Sequence, residues 1–599
     1  MAFLLRLLNY RRNAASAVAS LSFLLLILIF SVHLVATRRR DDPVSAGAAV
    51  TSTISSSSGA SSPATTRCDA EELRSLPDNA ARCRYLSSPG RSPCAPRGYV
   101  DYLAVFYCGF GSSPPWLVLA AAVALLWLLV LFYLLGDTAS TYFCASLEGL
   151  SSALRLPPSI AGVTLLSLGN GAPDVLSSVV AFAAGDADAG DVGLSSVLGG
   201  ALFVSTVVAG VVAIVAAGRS GGDDVSIEHR GFVRDVCFLL VALCYLVAVL
   251  VLAGGEVTVW TAASFLSLYA AYVLLVSFSH CCSAAAGDED DDGLLPEHHT
   301  KSSKPAAADL AAPLLLAAGN NGDAAPPVPI ATKTTSPSTS PPKKTFSRRA
   351  MDVLESPLYL PRRLTIPDIA AHRWSKPYAI ASAFLAPLLL AFISSSSTTN
   401  PIFLLSGVFS GFVLAALASL STSPSSPPTT RLSKLPWLAG GFAMSILWSY
   451  LLARELVALL VSIGLAGGVR ASVLGATVLA WGNSLGDLVA DVALAAGGGS
   501  GGAQTAVAGC YAGPAFNVVV GLGLSMMVAA AASYPRVYVV AVDSPAFEAV
   551  GFLVAALVWA VVVLPARGMR LDRVFGVGLL VVYGGFLAVR LGSLAGAFG

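Results

Sequence analysis

The chain has 599 residues, of which 55% are hydrophobic and only 12% are charged, and its formal net charge at pH 7 is +1. A composition this apolar, with a mean hydropathy of +0.74, excludes a soluble globular protein and predicts a protein embedded in a lipid bilayer. The near-zero net charge and the scattered basic residues exclude a nucleic-acid-binding protein.

The first predicted element is an apolar run from Leu21 to Ala36, preceded by arginines at positions 6, 11 and 12. Such a run is either a cleaved signal peptide or an uncleaved signal-anchor. Because the run is long and no small-residue cleavage site follows it closely, the pattern favours a signal-anchor within residues 1–36.

Residues 37–115 form a polar segment with four cysteines, Cys68, Cys83, Cys94 and Cys108. Cysteines grouped outside any span are typical of a disulfide-bonded lumenal or extracellular segment. The alternative is four unpaired thiols on the cytosolic side. Four cysteines allow three pairings, and the sequence does not choose among them.

Twelve further apolar runs approach or exceed the roughly 20 residues that cross the hydrocarbon core. Five lie in a first transmembrane half, residues 116–282, and seven in a second half, residues 377–599. The runs are Trp116–Leu135, Ser159–Ala183, Ser195–Ala217, Val233–Leu252, Val257–Phe278, Tyr378–Ile393, Ile402–Leu420, Trp437–Ile463, Ala471–Ala495, Thr505–Ala530, Pro545–Leu564 and Val574–Leu594. With the N-terminal run, we predict an all-α polytopic membrane protein of about 11–13 spans.

The two halves are separated by residues 283–376, which carry an acidic run at Asp288–Asp292 and several Ser/Thr/Pro clusters. This composition is typical of a disordered loop. Basic residues concentrate in this loop and in the connections on the same side, so the positive-inside rule places that side in the cytosol.

An internal repeat links the two halves. Residues 162–174 and 475–487 share identical residues at a constant offset of 313 (487 − 174), and the offset continues into the following span. The matched pairs are Gly162/Gly475, Thr164/Thr477, Gly169/Gly482, Asn170/Asn483, Asp174/Asp487, Gly200/Gly513 and Phe203/Phe516. The chain therefore contains a duplicated two-helix unit.

The two copies cross the membrane in opposite directions in the predicted topology, which makes the repeat inverted. Inverted repeats build transporters whose halves rock around a site at the bilayer midplane. Asp174 and Asp487 are the leading candidate ligands, because a carboxylate inside a membrane is kept only where it faces a cavity or a partner. Their oxygens suit a hard cation. The structural alternative is that the aspartates bond only to neighbouring helices.

Five further side chains are candidate ligands. Asn170 and Asn483 lie one helical turn before each aspartate, on the same face. Thr164 and Thr477 lie about ten residues earlier and reach the site only if each helix is kinked at the Gly-Asn step; otherwise they are packing hydroxyls. Asp491 follows Asp487 by one turn and adds a second carboxylate or a proton acceptor.

At these residues the sequence resembles the calcium/cation antiporter superfamily, whose inverted helix pairs each carry a Gly-Asn/Thr-x-x-x-acid motif. Residues 169–174 and 482–487 are most similar to the plant cation/calcium exchangers, a branch similar to potassium-dependent sodium/calcium exchangers. The resemblance implies a sodium/calcium exchanger-like fold and antiport of Ca²⁺ against Na⁺, K⁺ or H⁺, without a cofactor. It also implies that Asp174 and Asp487 are paired acidic ligands. Flanking ligand positions fall on Asn170, Gly171, Asn483 and Ser484.

The sequence departs from the family pattern at three places. Asp174 replaces the Glu of many relatives and is one methylene shorter. In the second helix of each pair only Asn517 survives as a polar ligand, because its counterpart is Val204. Fewer oxygens weaken Ca²⁺ coordination and favour monovalent ions. Asn517 also stands where potassium-dependent relatives carry an acid, which argues against potassium dependence.

Other functions use similar residues. Within antiport, a monovalent K⁺/Na⁺ exchanger coupled to H⁺ is the nearest alternative. A cation channel can use the same aspartates, although an inverted duplication favours alternating access. An intramembrane aspartyl protease also needs two aspartates, and Ser484–Asp487 approaches its Gly-x-Gly-Asp motif, but Asp174 follows proline where tyrosine is required. We therefore predict a transporter and not an enzyme, in the plasma membrane or in a vacuolar or other endomembrane. The sequence does not define its oligomeric state.

Overall fold

A computed structural model describes most of the chain from Cys68 onward. The described ranges are 68, 70–88, 94–95, 98–109, 114–154, 167–183, 187–219, 226–286, 359–371, 373–395, 401–424, 426–497, 499–540 and 544–597. The predicted signal-anchor at residues 1–36 and most of the predicted central loop lie outside these residues, as does Thr164.

Eleven helices in the described part are long and apolar enough to cross a membrane. They are α1 (Val118–Leu150), α3 (Ala189–Gly218), α4 (His229–Leu252), α5 (Val259–Val276), α6 (Lys376–Ile393), α7 (Ile402–Ser421), α8 (Ser433–Gly467), α9 (Ala471–Gly497), α10 (Gly501–Ser533), α11 (Pro545–Ala566) and α12 (Arg573–Ser593). A shorter helix, α2, covers Ser167–Ala183. These helices occupy the twelve runs predicted from Trp116 onward, which confirms the all-α polytopic fold.

Several of these helices are longer than the apolar runs suggest. α1 has 33 residues, α3 has 30 and α10 has 33. Each continues through a π-helical segment, where the hydrogen bonds run from i to i+5 and one turn widens. The segments are Thr138–Cys144 in α1, Val204–Val208 in α3 and Asn517–Leu522 in α10.

Two contacts between connections fix the ends of the bundle. Strand β1 (Glu256–Val257) pairs antiparallel with β2 (Tyr538–Val539), which joins the α4–α5 connection to the α10–α11 connection. At the other end, Ser226 before α4 forms an isolated bridge with Arg570 before α12. We call these the strand end and the bridge end. Both pairings agree with the predicted alternation of crossing directions.

The second helix of each repeat pair, α3 in the first copy and α10 in the second, lies at the centre of the bundle. The most apolar windows of α3 and α10 are 72% and 89% buried, whereas those of α6 and α7 are 17% buried. α6 and α7 pack chiefly against each other as a peripheral hairpin. The surrounding helices therefore bury α3 and α10, whereas the most apolar window of α9, the first helix of the second pair, is 33% buried.

The cysteine segment is disulfide-bonded, as the sequence predicts, and the structure selects one of the three pairings: Cys68–Cys94 and Cys83–Cys108. The segment rests on α8 toward the strand end, where Glu455 accepts hydrogen bonds from the backbone N–H of Tyr99 and from the hydroxyl of Tyr102, the latter at 2.8 Å.

The C-terminal end of the predicted disordered loop differs from the prediction. Residues 359–365 are helical, and the side chain of Arg362 is fully buried. Polar composition around this short helix predicts solvent exposure, but Arg362 pairs with Asp137 on α1 and Arg363 pairs with Asp368 just after the helix.

Candidate cation site

The duplication is visible in the backbone. The π-helical segments of α3 and α10 begin at Val204 and Asn517, which differ by the same offset of 313 (517 − 204) as the aspartates. A π segment at matching positions of both copies widens each second repeat helix at the same place. The two helix pairs therefore share an irregularity that neither hydropathy nor motif spacing predicts.

The repeats touch through glycines where α3 crosses α9. A Cβ atom at Gly199 would collide with the backbone carbonyl oxygen of Ala476, and one at Gly475 would lie 2.6 Å from that of Val192. Small residues allow such close approach between membrane helices. This crossing brings the second helix of one copy against the first helix of the other.

Asp174 lies at the centre of the site and is only 4% exposed. Its Oδ2 accepts a hydrogen bond of 2.7 Å from Nδ2 of Asn517, and the amide of Asn483 also interacts with its carboxylate. The Asn517 amide fits here because position 171 is glycine: a Cβ there would collide with Asn517 Oδ1.

The second motif borders the same space. Asn483 Nδ2 donates to Ser177 Oγ at 3.0 Å, and Ser484 is fully buried. A Cβ added at Gly200 would lie 3.5 Å from Ser484 Oγ and 3.7 and 3.8 Å from the two Asp174 carboxylate oxygens. Gly200 therefore leaves open the position that Asp174 and Ser484 both face.

Around this position, four buried oxygens on α2, α9 and α10 have no hydrogen-bond partner among the described residues: Asp174 Oδ1, Asn483 Oδ1, Ser484 Oγ and Asn517 Oδ1. An unpartnered buried oxygen is costly, so such atoms call for an explanation. Carboxylate, amide and hydroxyl oxygens are the ligands of hard cations. The arrangement can therefore bind a dehydrated cation with donors from both repeats.

Two further carboxylates lie on α9. Asp487 is half-buried and interacts electrostatically with both Asp174 and Asp491. Asp491 is 5% exposed, and its Oδ2 lies 3.6 Å from Sγ of Cys510. The site is consequently acidic on its α9 side, which favours cations over neutral or anionic solutes.

The remaining predicted ligands are placed differently. Thr477 lies in the π-helical segment Gly475–Leu479, and its hydroxyl donates to the carbonyl oxygen of Val473 at 2.7 Å within its own helix. Its role as a ligand stays a prediction. The backbone of Asn170 is part of α2, but its side chain lies outside the described atoms, as does all of Thr164.

Several polar contacts beside the site are not predicted by the sequence motifs. Ser177 holds Asn483, and Ser178 Oγ lies 2.8 Å from Ser525 Oγ between α2 and α10. Serines in an apolar helix have no distinctive spacing. One of them carries a signal in the sequence: Ser178 stands at the repeat position of Asp491 (491 − 178 = 313), which is itself a candidate ligand.

The fold and the site define a multi-pass membrane transporter of small cations and not an enzyme. The family model described as sodium/calcium exchanger protein matches residues 124–278 and 437–592, one match in each transmembrane half. The chain belongs to this family. The predicted resemblance is confirmed, and the intramembrane protease interpretation is wrong.

Curated relatives extend over most of the chain. Cation/calcium exchanger 1 of Arabidopsis thaliana is 44% identical over 537 residues, which cover 88% of this chain and 89% of that protein. The mitochondrial sodium/calcium exchanger protein of Homo sapiens is 31% identical, covering 82% and 85%. Among solved structures, the H⁺/Ca²⁺ exchanger CAX covers 80% of this chain and 85% of its own, with 11% identity and a TM-score of 0.40.

Proposed function

We propose that this transporter is a secondary active antiporter that exchanges Ca²⁺ for a monovalent cation. The observation that carries the proposal is the convergence of four unpartnered buried oxygens, from α2, α9 and α10, beside the acidic side of the site. Ca²⁺ and Na⁺ both take oxygen ligands of these kinds. The relatives named cation/calcium exchanger and sodium/calcium exchanger support the same substrate class.

Antiport follows from a single set of ligands shared between inverted repeats. Asp174 belongs to one copy, whereas Asn483, Ser484 and Asn517 belong to the other, so a bound ion is held between elements that rock against each other. Because Ca²⁺ and a monovalent ion compete for the same oxygens, each is carried in turn. A fixed channel needs no such division of ligands between two repeats.

Na⁺ is the first candidate for the counter-ion. Asn517 donates its amide hydrogen to Asp174. A neutral amide therefore stands where potassium-dependent relatives carry an acid, which argues against K⁺ as the counter-ion. H⁺ is the second candidate, because Asp491 is a buried carboxylate facing the thiol of Cys510. The alternative to Ca²⁺ antiport is a monovalent K⁺/Na⁺ exchanger coupled to H⁺. We assign the protein to the plasma membrane or to a vacuolar or other endomembrane.

The experiment is ⁴⁵Ca²⁺ uptake into proteoliposomes loaded in turn with Na⁺, K⁺ or acidic buffer. We expect uptake driven by one outward gradient, and a loss of at least about 100-fold in Asp174→Asn and Asp487→Asn, because each variant removes one of the negative charges that would compensate a dehydrated cation. The matched control is Asp101→Asn in the cysteine segment, where the side chain caps a helix by accepting from the N–H of Ala104 at 3.0 Å. Asparagine preserves this cap, so full activity is expected.

The other outcomes separate the alternatives. Uptake that is independent of every imposed gradient indicates a channel. Exchange of ⁸⁶Rb⁺ or ²²Na⁺ without any Ca²⁺ flux indicates a monovalent exchanger. Either result contradicts Ca²⁺ antiport, and equal activity of Asp174→Asn and wild type would remove Asp174 from the site.

A further inference from the structure

The segment formed by residues 359–371 and 373–375, which precedes α6, lies between α1 and α8. Arg362 is 0% exposed, and its NH1 donates to Asp137 Oδ2 at 2.7 Å and to Thr138 Oγ1 at 2.9 Å on α1. On the other side, Nε1 of Trp448 on α8 donates to Thr365 Oγ1 at 2.7 Å. The segment is thus tied to both helices.

A second arginine ties the segment to the same part of α1. Asp368 pairs with Arg363 and Arg373 at 2.8 and 2.9 Å, and Arg373 NH2 donates to the carbonyl oxygen of Thr141 at 2.9 Å. Thr138 and Thr141 both belong to the π-helical segment Thr138–Cys144. The segment is therefore bonded to the π-helical part of α1.

α1 contacts both cation motifs at matching glycines. The ring of Phe132 fills the place that a Cβ of Gly482 would take, and Sγ of Cys144 would lie 2.9 Å from a Cβ of Gly169. These two glycines are repeat partners, and each directly precedes a candidate asparagine ligand. Asp137 lies between Phe132 and Cys144 along α1, so the Arg362 contact is made within the stretch that touches both motifs.

We propose that the Arg362–Asp137 ion pair is a latch that sets the position of α1 along both Gly-Asn motifs, and that Arg362 is a positioning residue for cation exchange. The inference rests on the proposed exchange activity. The side chain of Arg362 is fully buried, whereas that of Asp137 is 21% exposed, so removing or separating Asp137 leaves an uncompensated buried charge on Arg362. Such a contact favours one position of α1, and hence one of the two conformations that alternating access requires.

The test is a double-mutant cycle in proteoliposomes with Arg362→Gln, Asp137→Asn and the combination. The half-saturating Ca²⁺ concentration is measured at each face of the membrane. We expect each single variant to change it by about 5-fold or more, in opposite directions at the two faces, because the population of conformations shifts. The double variant should match one single variant, since both remove the same contact. Arg567→Gln, which breaks the exposed Arg567–Asp572 pair of the bridge end, is the control and should match wild type.

Four outcomes test the proposal. A fall in maximal rate with unchanged half-saturation at both faces means that Arg362 only stabilises the fold, and additive effects mean that the pair is not the acting unit; both overturn the latch. If neither single variant folds, Arg362→Lys keeps the charge and can still pair with Asp137, so half-saturation near that of wild type is expected at both faces; a change as large as that expected for the single variants means that the ion pair is not the acting unit and overturns the latch. If wild type shows no exchange, the proposed function fails, and the latch is tested by the Ca²⁺-dependent shift in melting temperature, which should still differ between wild type and Asp137→Asn.

Discussion

At the scale of single residues, the hydrogen bond between Asn517 and Asp174 determines how the site presents its charge. Asn517 uses its amide hydrogen on one carboxylate oxygen and leaves its own Oδ1 unpartnered. It therefore orients Asp174, the single aspartate of α2, and also offers a candidate ligand. Neither role is available to Val204, its counterpart in the first repeat.

Replacing Asn517 with alanine should weaken Ca²⁺ binding without unfolding the protein. The change removes one ligand and one donor to a buried carboxylate, and the loss of such a partner costs about 1–2 kcal/mol. We expect the half-saturating Ca²⁺ concentration to rise about 5- to 30-fold, measured by ⁴⁵Ca²⁺ exchange. Asn79→Ala, in the helix Asn79–Leu86 of the cysteine segment, is the matched control. An unchanged value in Asn517→Ala would show that Asn517 does not face the ion.

At the scale of helices, the crossing of α3 and α9 depends on the absence of side chains at Gly199 and Gly475. A Cβ at either position meets a backbone carbonyl, which cannot rotate away. Gly199→Ala and Gly475→Ala should therefore force the helices apart and cost about 1–3 kcal/mol, as overpacked cores do. The measurement is the melting temperature in detergent together with exchange activity. Gly513→Ala on α10 has open space around the added methyl and should behave as wild type; equal behaviour of all three would contradict the crossing.

Helices are also the scale at which the sequence is most and least informative. The spans and the duplicated motifs were predictable, because apolar runs and a fixed offset are local or directly comparable features. The π segments were not, because they depend on hydrogen-bond register and not on composition. The burial of Arg362 in the helix at residues 359–365 is not predictable for another reason: Arg362 pairs with Asp137, more than 200 positions earlier in the chain, and no local pattern marks such a pairing. Asp174 is predictable because the repeated motif marks it. Ser177 and Gly200 are not, because only the folded structure brings them next to residues of the second motif.

At the scale of the whole molecule, the two ends of the bundle differ in chemistry. The strand end carries β1 and β2 and lies on the side of the disulfide-bonded cysteine segment. The bridge end carries Arg570 and the neighbouring Arg567 and Arg573, as well as the arginine-rich segment before α6. Disulfides persist in lumenal or extracellular compartments, and basic connections stay in the cytosol. Both criteria give the protein the same orientation.

This orientation predicts opposite labelling of two engineered cysteines. Glu256 in β1 and Arg567 at the bridge end are both exposed, so Glu256→Cys and Arg567→Cys should each react readily with a maleimide once membranes are permeabilised. In sealed vesicles with the cytosolic face outward, a membrane-impermeant maleimide should label Arg567→Cys and spare Glu256→Cys, because only one end of the bundle meets the reagent. Wild type gives the background from its native thiols. Labelling of both variants in sealed vesicles would mean that the two connections lie on the same side, which contradicts the odd number of crossings between them. Labelling of Glu256→Cys alone would mean that the orientation is inverted and that the disulfide-bonded segment lies in the cytosol.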